Sequence, residues 1–149
     1  MTGRRCDLRE FSRAVMCVSS KCGSHEFPID ITSADIDFMG HVNNAVYLTW
    51  VQQAVLSHWK AIASPAELAA HRWVAVKHEI TYRTSAFLDD RLIAKVQLQQ
   101  VRRESAFYDV IIGRGDTVVA EIKSRWCCLD AVTSLPVRVQ DATIKKFFR

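Results

Sequence analysis

The sequence predicts an α+β domain in which one long helix, buried on most sides, is covered by an antiparallel sheet of about five strands. Two patterns carry that expectation. The longest apolar-rich stretch, Asn44 to Ala63, repeats at helical spacing, and after His71 the period drops from 3.6 to 2 and stays there through four successive runs. A chain of 149 residues that is 49% hydrophobic is also large enough to close one core.

Residues 1–24 show neither periodicity and end in Ser19, Ser20, Gly23 and Ser24, so they read as a loosely ordered N-terminal extension. Residues 25–149 read as a single domain. From Glu26 to Ala34, Phe27, Ile29 and Ile31 alternate with polar partners as in a half-buried strand, and Pro28 assigns that strand to a sheet edge or to its own first residues. In the helical stretch, Val46, Tyr47, Trp50, Val51, Ala54, Val55, His58 and Ile62 fall on i, i+3, i+4 rows, leaving only a narrow polar stripe. Ser64-Pro65-Ala66-Glu67 is a capping box with proline at the first helical position, which starts a second, short helix.

Four strands follow. The first alternates through Val74, Val76, His78, Ile80 and Tyr82, the second through Leu92, Ala94, Val96 and Leu98, and the third spans Phe107 to Ile112. The fourth runs from Thr117 to Leu129, with Val118, Ala120, Ile122, Ser124, Trp126 and Cys128 on one face. The turn signals between them, Leu88-Asp89-Asp90, Arg103-Glu104 and Gly113 to Asp116, predict consecutive hairpins. Val139 to Phe148 closes the chain as a helix.

Composition excludes several classes. Twenty Lys and Arg against sixteen Asp and Glu give a mild net charge of +4. Part of that excess lies in the first 22 residues, where Arg4, Arg5, Arg9, Arg13 and Lys21 sit with Asp7 and Glu10, so no basic stripe points to nucleic acid. No apolar run reaches the ~18–20 residues of a membrane span, and Asp7 and Glu10 argue against a transit peptide. Cys6, Cys17, Cys22, Cys127 and Cys128 are odd in number and lack C-x-x-C spacing, which predicts no metal site and reduced thiols in a cytoplasmic protein. The adjacent Cys127 and Cys128 should point to opposite faces of a strand.

One segment is dense in polar groups despite apolar flanks: Asp35-Ile36-Asp37-Phe38-Met39-Gly40-His41-Val42-Asn43-Asn44, followed by Ala45-Val46-Tyr47. It joins the first strand to the start of the long helix, where unpaired backbone N–H groups and the positive end of the helix dipole suit an oxyanion or a polarised carbonyl. Asp37 is the natural base or nucleophile beside them. The same residues are also what a strand-to-helix turn requires, with Gly40 at positive φ and Asn43 or Asn44 as N-cap. A calcium loop fails, because Met39 and Val46 would fall at ligand positions.

The run Asp-x-Asp-x-x-Gly-His-Val-Asn-Asn-x-x-Tyr from Asp35 to Tyr47 resembles the signature of the 4-hydroxybenzoyl-CoA thioesterase-like branch of the hotdog-fold superfamily. The likeness continues through Trp50, through His78-Glu79-Ile80-x-Tyr82 with Asp89-Asp90, and through Trp126 to Asp130 before Pro136, covering roughly residues 26–148. It implies the hotdog fold and an acyl-CoA thioesterase working without cofactor as a homodimer or homotetramer, with sites at the subunit interface. It also implies that Asp37 is the catalytic carboxylate and that the backbone N–H of Asn44 polarises the thioester carbonyl. Asp35, Gly40, His41, Val42, Asn43 and Tyr47 follow as substrate-binding loop residues, with Asp35 acting as an acceptor behind the site and the Tyr47 ring packing beneath the loop.

Gln52 and Val55 stand where many relatives carry Glu and Arg, and the His-Phe-Pro-Gly context of the dehydratase branch is absent. Lys77, Arg83, Arg102, Arg103, Lys123 and Arg125 are the cations available on or next to the strands for CoA phosphates. An acyl-carrier-protein thioesterase and a hotdog protein that binds acyl thioesters without hydrolysing them are the alternatives.

Overall fold

The computed structural model describes residues 24–149, so the N-terminal extension and Cys6, Cys17 and Cys22 lie outside the described residues. The order is β1 (His25–Ile29), a 3₁₀ turn (Ser33–Asp35), α1 (Val46–Ile62), α2 (Pro65–Ala70), β2 (His71–Tyr82), β3 (Leu92–Arg102), β4 (Ser105–Arg114), β5 (Thr117–Asp130) and α3 (Asp141–Phe147). One five-stranded sheet, ordered β1-β3-β4-β5-β2, is antiparallel throughout. Pro28 sits in the edge strand β1, where its missing N–H costs no ladder bond on the open side.

Alternation is kept almost everywhere. Leu92, Ala94, Val96 and Leu98 of β3 and Ala106, Tyr108, Val110 and Ile112 of β4 are buried against the helix layer. From α1, Tyr47, Trp50, Val51, Ala54, Val55, His58 and Trp59 meet them. Capping of α2 follows the sequence reading: the Glu67 N–H donates to Ser64 Oγ (3.2 Å) and the Ser64 N–H donates to Glu67 Oε2 (2.7 Å). Glu67 also ties α2 to α3, accepting from Lys146 Nζ (2.6 Å) and Thr143 Oγ1 (2.7 Å). Lys146 foremost, then the Ser64 N–H, draws its carboxyl down to about 2.

Four expectations need correction. β2 and β3 are not a hairpin, because β2 pairs with β5 and β3 with β1, and residues 83–91 carry the chain across the sheet. Periodicity fixes faces but not neighbours, and sequential strands are adjacent only about two-thirds of the time. On β5, Val119 rather than Val118 is buried, because the register shift opposite Ile112 and Gly113 inserts a residue. A shift between Ala75 and Lys77 likewise divides β2, so Trp73 and Ala75 turn inward before it, His78 and Ile80 after it, and Val74 and Val76 stay exposed. Finally, α1 is covered on one side only: Leu48, Thr49, Gln52, Gln53 and Lys60 are exposed, since a single sheet reaches only one face. Cys127 and Cys128 are free thiols on opposite faces, the first half-buried and the second buried, and burial first raises the Cys128 thiol to about 11.

His58 is the one ionisable side chain buried in the middle of α1, only 4% exposed. Its ring stacks on His25 (5.3 Å) and meets the edges of Tyr108 and Phe147. Burial first, and then His25, hold it down to about 4 from 6.5. Because the unfolded chain binds this proton more tightly, its contribution is full above pH 6.5 and lost as the pH falls toward 4. Urea unfolding across that window should show wild type losing about 3 kcal/mol to this group, and His58→Phe should flatten that part of the slope.

Candidate active site

Between β1 and α1 the chain makes a closed loop on which most of the polar signature lies. Ile36 and Val42 pair as an isolated antiparallel bridge, the Asp37 N–H donates to the His41 carbonyl (2.8 Å), and the Gly40 N–H returns to the Asp37 carbonyl (3.0 Å). Gly40 sits at φ +80, the left-handed conformation that closes such a turn and that a side chain would disfavour. Phe38, at the tip of this turn, is 97% exposed.

Asp37 is half-buried, with one carboxylate oxygen fixed by its own turn. Oδ1 accepts the N–H groups of Met39 (2.9 Å) and His41 (3.3 Å), and Oδ2 has no donor among the described residues. One oxygen is thus oriented by two rigid amides while the other remains available for chemistry. Asp35 is used differently: its Oδ2 accepts the Thr32 N–H (2.8 Å) and hydroxyl (3.2 Å) and so caps the 3₁₀ turn, while its carbonyl takes the Asn43 N–H (2.8 Å). Its carboxylate is taken up by the turn it caps.

The loop is pinned from a second side by residues 83–91. The Val42 N–H donates to the Ala86 carbonyl (2.8 Å), and the Phe87 ring meets His41 edge-on (5.2 Å). That segment is itself held by Arg114 Nη1, which donates to Asp90 Oδ2 (2.5 Å), while the same oxygen takes the Phe87 N–H (2.9 Å).

Where the helix begins, the N-cap residue is Ala45, not Asn43 or Asn44. Asn43 still does the work of a cap, because its Oδ1 takes the Ala45 N–H (3.0 Å) and its carbonyl takes the Val46 N–H (3.0 Å). Following the amides in order gives a simple result. Met39 and His41 donate to Asp37 Oδ1, Gly40 to the Asp37 carbonyl, Val42 to Ala86, Asn43 to Asp35, and Ala45 and Val46 to Asn43. Among the described residues, the N–H of Asn44 is left without an acceptor in that stretch.

Asp37, His41, Val42, Asn43, Asn44 and Tyr47 line one cleft of about 460 Å³, together with Met39, Tyr82, Arg83, Thr84 and Ser85. Neither Gly40, which closes the turn, nor Asp35 lines it. The Tyr47 ring is 1% exposed and packs edge-on against Trp50 and Tyr82 (both 5.2 Å). Burial, followed by the nearby Tyr82 and Asp90, pushes its hydroxyl up to about 12, so it stays protonated as a neutral wall of the cleft.

Of the six strand cations, Arg83 alone lines the cleft, and its Nε and Nη2 reach Glu121 Oε2 at 2.9 and 2.6 Å. Among the described residues no group of three His, Cys, Asp or Glu is placed to hold a metal, and no helix is long and apolar enough to cross a membrane. Sequence reasoning missed Tyr82 and the 83–87 segment as site residues, because strand periodicity accounts for the first and nothing local marks the second. The match of His78-Glu79-Ile80-x-Tyr82 to a family pattern was the available signal.

The arrangement pairs a carboxylate oxygen with a free backbone donor in a cleft reached from solvent, which suits addition of water or a carboxylate to a polarised carbonyl. A family model of the thioesterase-like superfamily matches residues 31–147. The long-chain acyl-CoA thioesterase FadM of Escherichia coli (strain K12) is 31% identical over 109 residues, spanning 70% of this chain and 83% of that protein.

Among solved structures, a thioesterase from Thermus thermophilus complexed with coenzyme A and Zn superposes with a TM-score of 0.74 at 20% identity, covering 87% of this chain and 94% of that one. YbaW, a probable thioesterase from Escherichia coli, gives 0.70 at 24% identity over 84% and 99% of the two chains. A 1,4-dihydroxy-2-naphthoyl-CoA thioesterase from Synechocystis gives 0.69 at 15% over 84% and 96%. These likenesses identify the fold as the hotdog. Asp35→Ala should cost ~1 kcal/mol of unfolding free energy, as loss of a cap does, and leave the KM for a thioester substrate unchanged.

Proposed function

Because this chain belongs to the thioesterase-like superfamily, we propose that it hydrolyses acyl-CoA thioesters, with Asp37 as the catalytic carboxylate and the Asn44 N–H as the oxyanion donor. It is a thioester hydrolase by family, and the likeness to a long-chain acyl-CoA thioesterase supports the CoA ester as substrate. The observation that carries the assignment comes from following the loop amides: the Asn44 N–H at the start of the helix is left open, in the same cleft as an Asp37 oxygen with no donor among the described residues.

In the reaction, the thioester carbonyl oxygen sits against the Asn44 N–H. Asp37 Oδ2 either removes a proton from a water that attacks the carbonyl carbon, or attacks that carbon itself to give a mixed anhydride that water then opens. In both routes the C–S bond breaks, sulfur leaves with the electron pair as a thiolate and takes up a proton, and the free acid retains the new oxygen. The Asn44 donor acts on charge that develops only at the tetrahedral stage, so it lowers the barrier more than it tightens ground-state binding. His41 stands at the wall of the cleft where it can orient the thioester, while Gly40, Val42 and Asn43 shape the loop and Tyr47 seals it.

The working unit in this proposal is a homodimer, with a tetramer as a further stage. β2 is twelve residues long, lies at an open sheet edge and exposes Val74 and Val76, and a long apolar edge is a surface that proteins cover. The exposed Leu48 of α1 and Phe38 of the loop add apolar surface near the cleft. A cytoplasmic location with reduced thiols belongs to the same reading.

Thiol release from short, long and aromatic acyl-CoAs tests the activity directly, and acyl-carrier-protein thioesters belong in the same panel. Asp37→Asn should lower kcat by ~10²–10⁴ while the protein keeps its melting temperature. A variant with wild-type turnover would rule out Asp37 as base or nucleophile. Val76→Lys should shift the chain to a monomer in sedimentation and reduce turnover with it.

A further inference from the structure

The Asn44 N–H shares a planar peptide unit with the Asn43 carbonyl, which accepts the Val46 N–H at 3.0 Å, so the start of the helix holds that unit but not the one after it. Ala45 is the N-cap, so its carbonyl makes the first intrahelical bond and Asn44 stands one residue outside the ladder. The Asn44 carbonyl is held instead from across the cleft: Tyr82 Oη donates to it at 2.7 Å, bridging positions 38 residues apart. Resting on the thioesterase reading above, we propose that Tyr82 is a positioning residue for catalysis, holding Asn44 through its carbonyl so that the Asn44 N–H meets the thioester oxygen in a preset orientation.

The anchor is firm at its other end. Tyr82 is the last residue of β2 and pairs with Ala120 of β5. Immediately after it, the N–H groups of Arg83 (2.8 Å) and Thr84 (3.3 Å) both donate to the carbonyl of Val119, the extra residue at the β5 register shift. The Tyr82 ring rests edge-on against the buried Tyr47 ring at 5.2 Å. A line of contacts therefore runs from the bulge in β5 through the end of β2 and the tyrosine hydroxyl to the residue with the open amide.

No other side chain among the described residues reaches the Asn44 backbone with a hydrogen bond. Without the hydroxyl, Asn44 is held only through its neighbours, by the Asn43 bonds to Asp35, Ala45 and Val46. Loosening a donor that must be oriented at the moment of reaction costs rate, since misplacement of about 1 Å can cost ~10²-fold. The loss falls on kcat, because the donor binds the transition state more strongly than the substrate.

Tyr82→Phe removes the hydroxyl and keeps the ring on Tyr47, so the fold should be retained. The chain holds only two asparagines, Asn43 and Asn44, so labelling the full-length protein with ¹⁵N-asparagine gives a backbone spectrum of two amide signals. In Tyr82→Phe the Asn44 signal should shift and lose rigidity in its heteronuclear NOE, while the Asn43 signal, bonded to Asp35, stays in place. kcat toward an acyl-CoA should fall about 10- to 100-fold with KM within about twofold of wild type.

An unchanged Asn44 signal overturns the proposal, as does a raised KM with kcat intact, which would make Tyr82 a substrate contact. A loosened Asn44 with wild-type kcat removes Asn44 as oxyanion donor and with it the catalytic consequence of the restraint. A wild-type chain inactive on every thioester removes the thioesterase reading itself, and the Asn44 signal then still decides whether the restraint exists.

Discussion

Burial of one face of α1 against the sheet is the interaction on which the rest of the structure depends. Seven side chains of this seventeen-residue helix are buried, among them Tyr47, Trp50 and Trp59, and at roughly 1.5–3 kcal/mol for each large apolar group they outweigh any helix propensity of the segment. Once the helix lies on β3 and β1, its first turn is fixed in space beside the end of β2. The loop from Asp35 to Asn44 must then fold back within a few residues to reach it. Gly40 at positive φ and the Ile36–Val42 bridge are the local means of that reversal.

The site is a consequence of how this loop satisfies its backbone. A half-buried turn cannot leave many amides without acceptors, since each orphan costs about 1–3 kcal/mol. Acceptors come from the Asp37 carboxylate, the Asp35 and Asn43 carbonyls and Ala86 of the distant 83–91 segment. Asp37 is therefore oriented by the same bonds that complete the turn, and structural and chemical roles for it are not rivals. Among the loop amides that line the cleft, Asn44 is the one with no acceptor among the described residues, and in the proposed reaction the substrate serves as its acceptor.

Much of the molecule's surface chemistry is unrelated to the cleft. Apart from Arg83, the strand cations lie away from it, and the Arg83 guanidinium is already shared with Glu121. The open edge of β2, exposed Val74 and Val76, and the uncovered Leu48 side of α1 are the surfaces that the proposed dimer would cover.

The sequence by itself determined the class of the α-helices and strands and marked the polar loop, but it ran the first strand on to Ala34, where the chain instead leaves β1 at Ile29 and forms the 3₁₀ turn. The change of period after His71, the Ser64 capping box and the restriction of Pro28 to a sheet edge or a strand's first residues are local properties, set by dihedral preference and by which face must be dry. The spacing of Asp37, Gly40 and Asn44 belongs with these, because a turn and a helix start are built from residues a few positions apart. Strand order was not local: β2 pairs with β5 instead of the following strand, and the extra residue at Val119 moves burial off the position that strict alternation assigns. The Tyr82 hydroxyl on the Asn44 carbonyl and the Ala86 carbonyl on Val42 join positions tens of residues apart. No periodicity encodes such contacts. They exist because packing of the helix on the sheet brings those backbone groups within hydrogen-bond reach, and only the tertiary structure could decide which amide would be left open.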